Sequence, residues 1–264
     1  MQIIPQSLAA TSVLLTTIAF NLAPVEAYEI KSIDTDTTGT REIIKEFQQF
    51  VQEERDEIDN PDAFRLNPNK LILAEDFDVS VFFVDEGAGF KNQLEFTVTD
   101  GSRNTIFNDV SCHTRNTDCQ VPSDDGVLNI GDYVELGNFQ AGTKFDFTIL
   151  ADGFRDGDTR DNRYGGNPQD NPDGLQHMVA WEYKDYVLIG FEDLYGPLDA
   201  TEPPNQNSDR DFNDVFFAVR MPVLEEARDI PEPSTALSLL GIGLASIFHL
   251  RSCHKSLKNL NQGQ

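Results

Sequence analysis

Short runs of alternating apolar and polar residues fill this chain from about residue 70 onward, and one helical pattern precedes them. Between Thr143 and Leu150, Phe145, Phe147 and Ile149 share one face of an extended segment, while Lys144, Asp146 and Thr148 take the other. Successive side chains on a strand point to opposite sides, so this pattern predicts a half-buried strand. Val79–Val84 and Gln93–Thr99 predict two more, separated by the turn-forming stretch Asp85–Gly89. Gln176–Tyr183 and Tyr186–Phe191 predict a hairpin across Lys184-Asp185, and Asn213–Arg220 a last strand. Short strands broken by Gly, Asp and Asn turns, with no helical pattern between them, predict a mainly β fold: an antiparallel, jelly-roll-like β-sandwich over residues 70–222.

Residues 28–69 form an N-terminal extension. Ile43, Ile44, Phe47, Phe50, Val51 and Ile58 recur near helical spacing, which predicts one amphipathic helix over residues 41–58. Thr40 can cap its start, and Asn60-Pro61 ends it because the residue before proline avoids helical torsions. The apolar stripe predicts packing on the following domain, with docking on a partner as the alternative.

Both ends of the chain carry targeting patterns. Leu8–Leu22 is an apolar stretch of signal-peptide length, and Val25-Glu26-Ala27 offers small residues where a signal peptidase cuts, so residues 1–27 are expected to be removed. No Lys or Arg precedes that stretch, which leaves the free amine as its positive charge. At the other end Pro231, Glu232, Pro233, Ser234 and Thr235 precede an apolar run from Ala236 to Leu250, followed by Arg251, His254, Lys255 and Lys258. As a helix that run covers about 22 Å, short of the roughly 30 Å of a bilayer core; the cations behind it favour the cytoplasmic side. Residues 231–264 resemble the PEP-CTERM sorting tail that an exosortase processes. The resemblance implies export, transient membrane anchoring and delivery to the cell surface or extracellular matrix; a plain tail-anchor helix is the alternative. Residues 223–230 are expected to link domain and tail.

The formal charge is −25. Loss of both ends takes away three cations and two anions, so the exported part is more acidic still. Such a surface repels nucleic acid and attracts cations. Of three cysteines, Cys253 lies in the tail, while Cys112 and Cys119 lie in the exported part and are expected to form a local disulfide. A zinc site from Cys112, His113 and Cys119 lacks a convincing fourth ligand.

Topology concentrates the acids. A turn at Lys184-Asp185 puts Gln176 and Glu192 at one end of the hairpin, and an antiparallel strand from Asn213 brings the 193–212 connection to that same end. Asp152, Asp156 and Asp158, then Glu192 and Asp193, then Asp209, Asp211, Asn213 and Asp214 should meet at one rim. Clustered carboxylates repel unless neutralised. Outside the cell, calcium is the hard cation that takes six to eight oxygen ligands, so these nine residues are candidate calcium ligands. Asp209, Asp211 and Asn213, spaced by two, would face one way in an extended segment. Asp214 and Arg220 stand where an EF-hand needs its glycine and its bidentate glutamate, so this is no EF-hand; a solvated acidic loop is the alternative.

Phe83–Phe90, Gly131–Gly137, Ile149–Phe154, Gly190–Leu194 and the closing Asp209–Val215 resemble, in order, the motifs of a bacterial extracellular domain of unknown function, family 4114. The resemblance covers Leu71–Val219 and implies a secreted or surface-attached setting with no established activity. The Tyr195–Ser208 insertion, with Pro203-Pro204, departs from the family's short turn and casts doubt on cooperation between Glu192 and Asp209. Glu192 and Asp193, as neighbours in a strand, are expected to face opposite sides, against their use as a glycosidase pair. No Ser-His-Asp or zinc-hydrolase motif accompanies His113 or His177, and His177 reads as a surface residue. Trp181 reads as core, with a sugar-stacking platform as the alternative. No catalytic residue is assigned. The expectation is a non-catalytic, calcium-stabilised surface module in adhesion or exopolysaccharide binding; a purely structural acidic matrix protein is the alternative, a glycan hydrolase the third.

Overall fold

A computed structural model describes residues 28–33, 40–48, 65–99, 101–113, 119, 122–123, 125–157 and 162–228. The signal peptide, the sorting tail, the helical pattern beyond Gln48, and Asp158 lie outside these residues. Among the described residues, no helix is long and apolar enough to cross a membrane.

Among the described residues, ten strands follow helix α1 (Thr40–Gln48): β1 (Arg65–Leu66), β2 (Phe77–Asp85), β3 (Gln93–Val98), β4 (Arg103–Phe107), β5 (Tyr133–Phe139), β6 (Phe145–Leu150), β7 (Arg163–Gly165), β8 (Met178–Tyr183), β9 (Tyr186–Phe191) and β10 (Val215–Arg220). A short helix, α2 (Gly153–Asp156), interrupts the loop between β6 and β7. The strands form two antiparallel sheets, one of six in the order β1-β8-β9-β10-β2-β5 and one of four in the order β4-β3-β6-β7. The expected β8–β9 hairpin is present, and β10 pairs with β9 from Val215↔Phe191 to Arg220↔Tyr186.

The two sheets pack face to face. Phe96, Phe145 and Phe147 of the smaller sheet meet Phe83, Phe191 and Phe217 of the larger in one buried cluster, and the Phe147 and Phe217 rings lie 5.6 Å apart, edge on. Central strands of the larger sheet are apolar on both faces. Val81 and Phe83 point into this core, while Phe82 and Val84 point outward with Leu188 and Phe216. The outward set is covered by α1, whose Ile44 and Phe47 are buried there, Phe47 edge-on to Tyr186 at 5.1 Å. The helix thus packs on the domain, as its stripe predicts, and the continuous apolar run Val81–Val84 follows from burial on both sides.

Residues 223–228 run along the sheet edge. Val223 bridges Leu73, Arg228 bridges Leu66, and the Arg228 guanidinium grips Glu182 through Nε at 2.6 Å and Nη2 at 2.9 Å.

Strands β2, β4, β6 and β9 finish, and β3, β5, β7, β8 and β10 begin, at one end of the sandwich. The acidic segments expected to converge lie in the connections at that end.

Candidate metal centre

Beyond Phe191 the chain leaves β9, and the alternation that would have separated Glu192 from Asp193 ends with the strand. Oxygens of Glu192, Asp193 and Asp214 come within 4.8 Å of one another; so, as a second set, do oxygens of Glu192, Asp209 and Asp211. The expectation that Glu192 and Asp193 diverge is therefore corrected. Glu192 is fully buried and Asp193 is 2 % exposed.

The long insertion does not separate Glu192 from Asp209, because it closes on itself. The Gln206 N–H donates to the Tyr195 carbonyl at 2.9 Å, and the Asp199 N–H to the Ser208 carbonyl at 2.9 Å. Its two ends are thereby neighbours, as in a compact surface loop.

Asp209, Asp211 and Asn213 are not in an extended segment. Arg210 and Phe212 between them are left-handed, at φ 59° and 61°. Asn213 turns onto Asp211, donating its N–H to Oδ1 at 3.1 Å and its amide to Oδ2 at 2.6 Å. Asn213 is thus a brace for Asp211. Gly190 allows this segment to cross β9: a Cβ there would collide with the Phe212 carbonyl.

One side chain and one backbone N–H fix the inner aspartates. Asn92 donates its amide to Asp193 Oδ2 at 2.7 Å, and the Asp193 N–H donates to Asp214 Oδ2 at 2.7 Å. Asn92 also accepts the Asp152 N–H, and Asp152 accepts the Lys91 N–H, both at 3.0 Å. With Arg155 also 3.2 Å from its Oδ1, Asp152 ties the β6–β7 loop to the β2–β3 connection; neither it nor Asp156 joins either carboxylate set.

Glu192 Oε1 accepts the Leu194 N–H at 3.3 Å, but its buried Oε2 has no hydrogen-bond partner. Burial raises the Glu192 carboxyl above its ordinary range, although the Ser208 hydroxyl and the Leu194 N–H oppose the rise. Burial pushes Asp193 up to about 7. Asp214 is raised well above the ordinary range by burial, then by the charges of Asp193 and Glu192. Each of these acids meets other acids in a poorly solvated place, and both conditions oppose ionisation.

His177, read as a surface residue, is fully buried. Its Nδ1 lies 2.8 Å from the Glu192 carbonyl, its Nε2 2.9 Å from Asp173, and its ring stacks on Tyr164 at 3.9 Å. Burial lowers its pKa, outweighing the support of Asp173 and the Glu192 carbonyl. The Arg210 guanidinium closes this floor by bonding the Gln176 carbonyl. His177 therefore positions the backbone of Glu192. Trp181, expected in the core, is half-buried beside the outward cluster.

Beside the centre, Lys91 is buried against Asp109 at 3.0 Å and Asp125 at 3.1 Å. Glu86 is also buried; burial pushes its carboxyl up to about 8, with the Cys112 N–H at 3.4 Å opposing the rise. Lys91, Asn92 and Glu86 were not foreseen as site residues. Their one sequence signal was polarity directly beside the Gly87–Gly89 turn. Cys112 and Cys119 form the expected disulfide, their Cα atoms 6.4 Å apart.

Residues 139–222 match the family described as a domain of unknown function (DUF4114). The match is narrower than the motif resemblance, leaving the Phe83–Phe90 and Gly131–Gly137 stretches outside it. Residues 229–252 match the PEP-CTERM protein-sorting motif, which implies processing by an exosortase. No curated protein and no solved structure is a match. The sorting motif makes this chain an exported protein, transiently anchored at the cell surface by its C-terminal tail, and the stretch from β6 to β10 is similar to the DUF4114 domain.

Proposed function

We propose that the protein is a non-catalytic cell-surface module whose acidic rim binds calcium and which takes part in adhesion or in binding extracellular polysaccharide. The observation that carries this reading is the Glu192 carboxylate: fully buried, with Oε2 lacking any donor, and within 4.8 Å of four aspartates in two sets. An ionised carboxylate in such a place costs several kcal/mol unless a cation meets it. Carboxylate oxygens are the ligands that calcium selects.

The same burial supports the non-catalytic reading, because a general acid must reach its substrate. A cleft of about 230 Å³, lined by Phe77, Lys184 and Arg220 among others, lies at the far end of the sandwich, away from these acids. A glycan array probed in calcium and in chelator tests the binding role. Calcium-dependent retention on acidic or neutral polysaccharide is expected; no retention in either condition would leave the purely structural matrix role.

A further inference from the structure

We infer that the rim holds two calcium ions that share Glu192 as a bridging ligand; this rests on the calcium reading above and deepens it. Calcium–oxygen bonds of about 2.4 Å limit two ligands of one ion to about 4.8 Å apart. Glu192, Asp193 and Asp214 satisfy that limit together, and so do Glu192, Asp209 and Asp211. Among the described residues no single set contains all five, so one ion in this arrangement cannot be held by all of them. Glu192 is the member common to both sets, and a carboxylate with two oxygens is suited to bridging. Its Oε2, buried and without a donor, is the independent sign that the place is built for a cation.

The two positions differ in solvation. The inner one is lined by Glu192 and Asp193, both buried, with Asp193 held by Asn92 at 2.7 Å and Asp214 held by the Asp193 N–H at 2.7 Å. Its ligands are already placed. The outer one includes exposed Asp209 and half-buried Asp211 on a left-handed turn, so its ion keeps more water. Charge agrees with a stoichiometry of two. The five carboxylates carry five negative charges, Arg210 offers one positive charge to Glu192, and two divalent ions balance the remainder. The inner ion should bind more tightly and the outer one second.

Native mass spectrometry of the exported protein, stripped with chelator and titrated with calcium chloride, tests this. Two bound ions per chain are expected, filling in sequence. Asp209→Ala, at an exposed position, should retain one ion and lose the weaker step. Asp193→Asn should weaken the first step at least tenfold, and Glu192→Gln should lose both. Circular dichroism of each variant in chelator reports whether it folds, and the Asp209→Ala result does not depend on the buried variants. A single ion unaffected by Asp209→Ala would overturn the shared-ligand arrangement while leaving calcium binding intact. No bound ion at all would overturn both readings.

Discussion

Asp109 and Glu192 are both buried at the same end of the sandwich, yet their surroundings differ. Asp109 meets the Lys91 ammonium at 3.0 Å and the Ser111 N–H at 3.0 Å. Glu192 meets Asp193, Asp209, Asp211 and Asp214. At Lys91 the chain supplies its own cation: burial works against the ammonium, but Asp109 and Asp125 outweigh it and raise its pKa. At Glu192 the acids raise one another's pKa values. The difference teaches that burial alone does not mark a metal site. A buried acid that meets a cation of its own chain is a structural pair, whereas a cluster of buried acids stays in place only with protons or with an outside cation.

The largest effect should come from the self-balanced region. Lys91→Met leaves Asp109 buried without its partner and should cost about 3–5 kcal/mol. Urea unfolding should give the same loss in calcium and in chelator. Rescue by calcium would mean that the two regions are one site.

Glu86 lies between the regions and feels both Asp193 and Asp109. Burial pushes its folded pKa up to about 8, above the ordinary 4.5 of a glutamate. Its contribution to stability is intact below about 4.5 and is lost as pH rises toward about 8. Glu86→Gln keeps an acceptor for the Cys112 N–H and never ionises. Measured in chelator, the variant should be more stable than the parent at pH 8 by on the order of 2–4 kcal/mol, and level with it at pH 4. Equal stability at both pH values would place Glu86 in a wetter environment than its burial implies.

Gly190→Ala is the smaller perturbation. The new methyl meets the Phe212 carbonyl, and backbone displacement of this kind costs about 1–3 kcal/mol. It should also shift Asp209 and Asp211 and so weaken any calcium response, which can be read by thermal melting with and without the ion. Loss of stability with an unchanged response would dissociate that segment from the cation.

Much of the sandwich was legible because its strands alternate cleanly. Phe145, Phe147 and Ile149 lie in the core as the pattern requires. The hairpin was legible from Lys184-Asp185, where Lys184 adopts φ 55°. β5 was not predicted as a strand, since Gly137 interrupts its alternation at φ 108° and the β2 register shifts between Val79 and Ser80 beside it. β1 and β7, two and three residues long, carry too little pattern to find. The convergence of acids followed from the hairpin and the pairing of β10 with β9. Its details did not. Asn92 reaches Asp193 across 101 residues of sequence, and the left-handed turns at Arg210 and Phe212 replaced the extended geometry that a spacing of two invites.

The central claim is that the Glu192 cluster takes a cation, and thermal melting with calcium against chelator addresses it most directly. A ligand that binds only the folded chain, at a hundredfold excess over Kd, stabilises by about 2.7 kcal/mol, or roughly 5–10 °C for a domain of this size. Magnesium should do less, because it sheds water reluctantly and demands octahedral geometry. Asp193→Asn should lose most of the shift, while Asp185→Asn, in the hairpin turn at the far end, should keep it. A melting temperature indifferent to calcium and chelator would contradict the claim and return these carboxylates to a buried cluster kept neutral by protons.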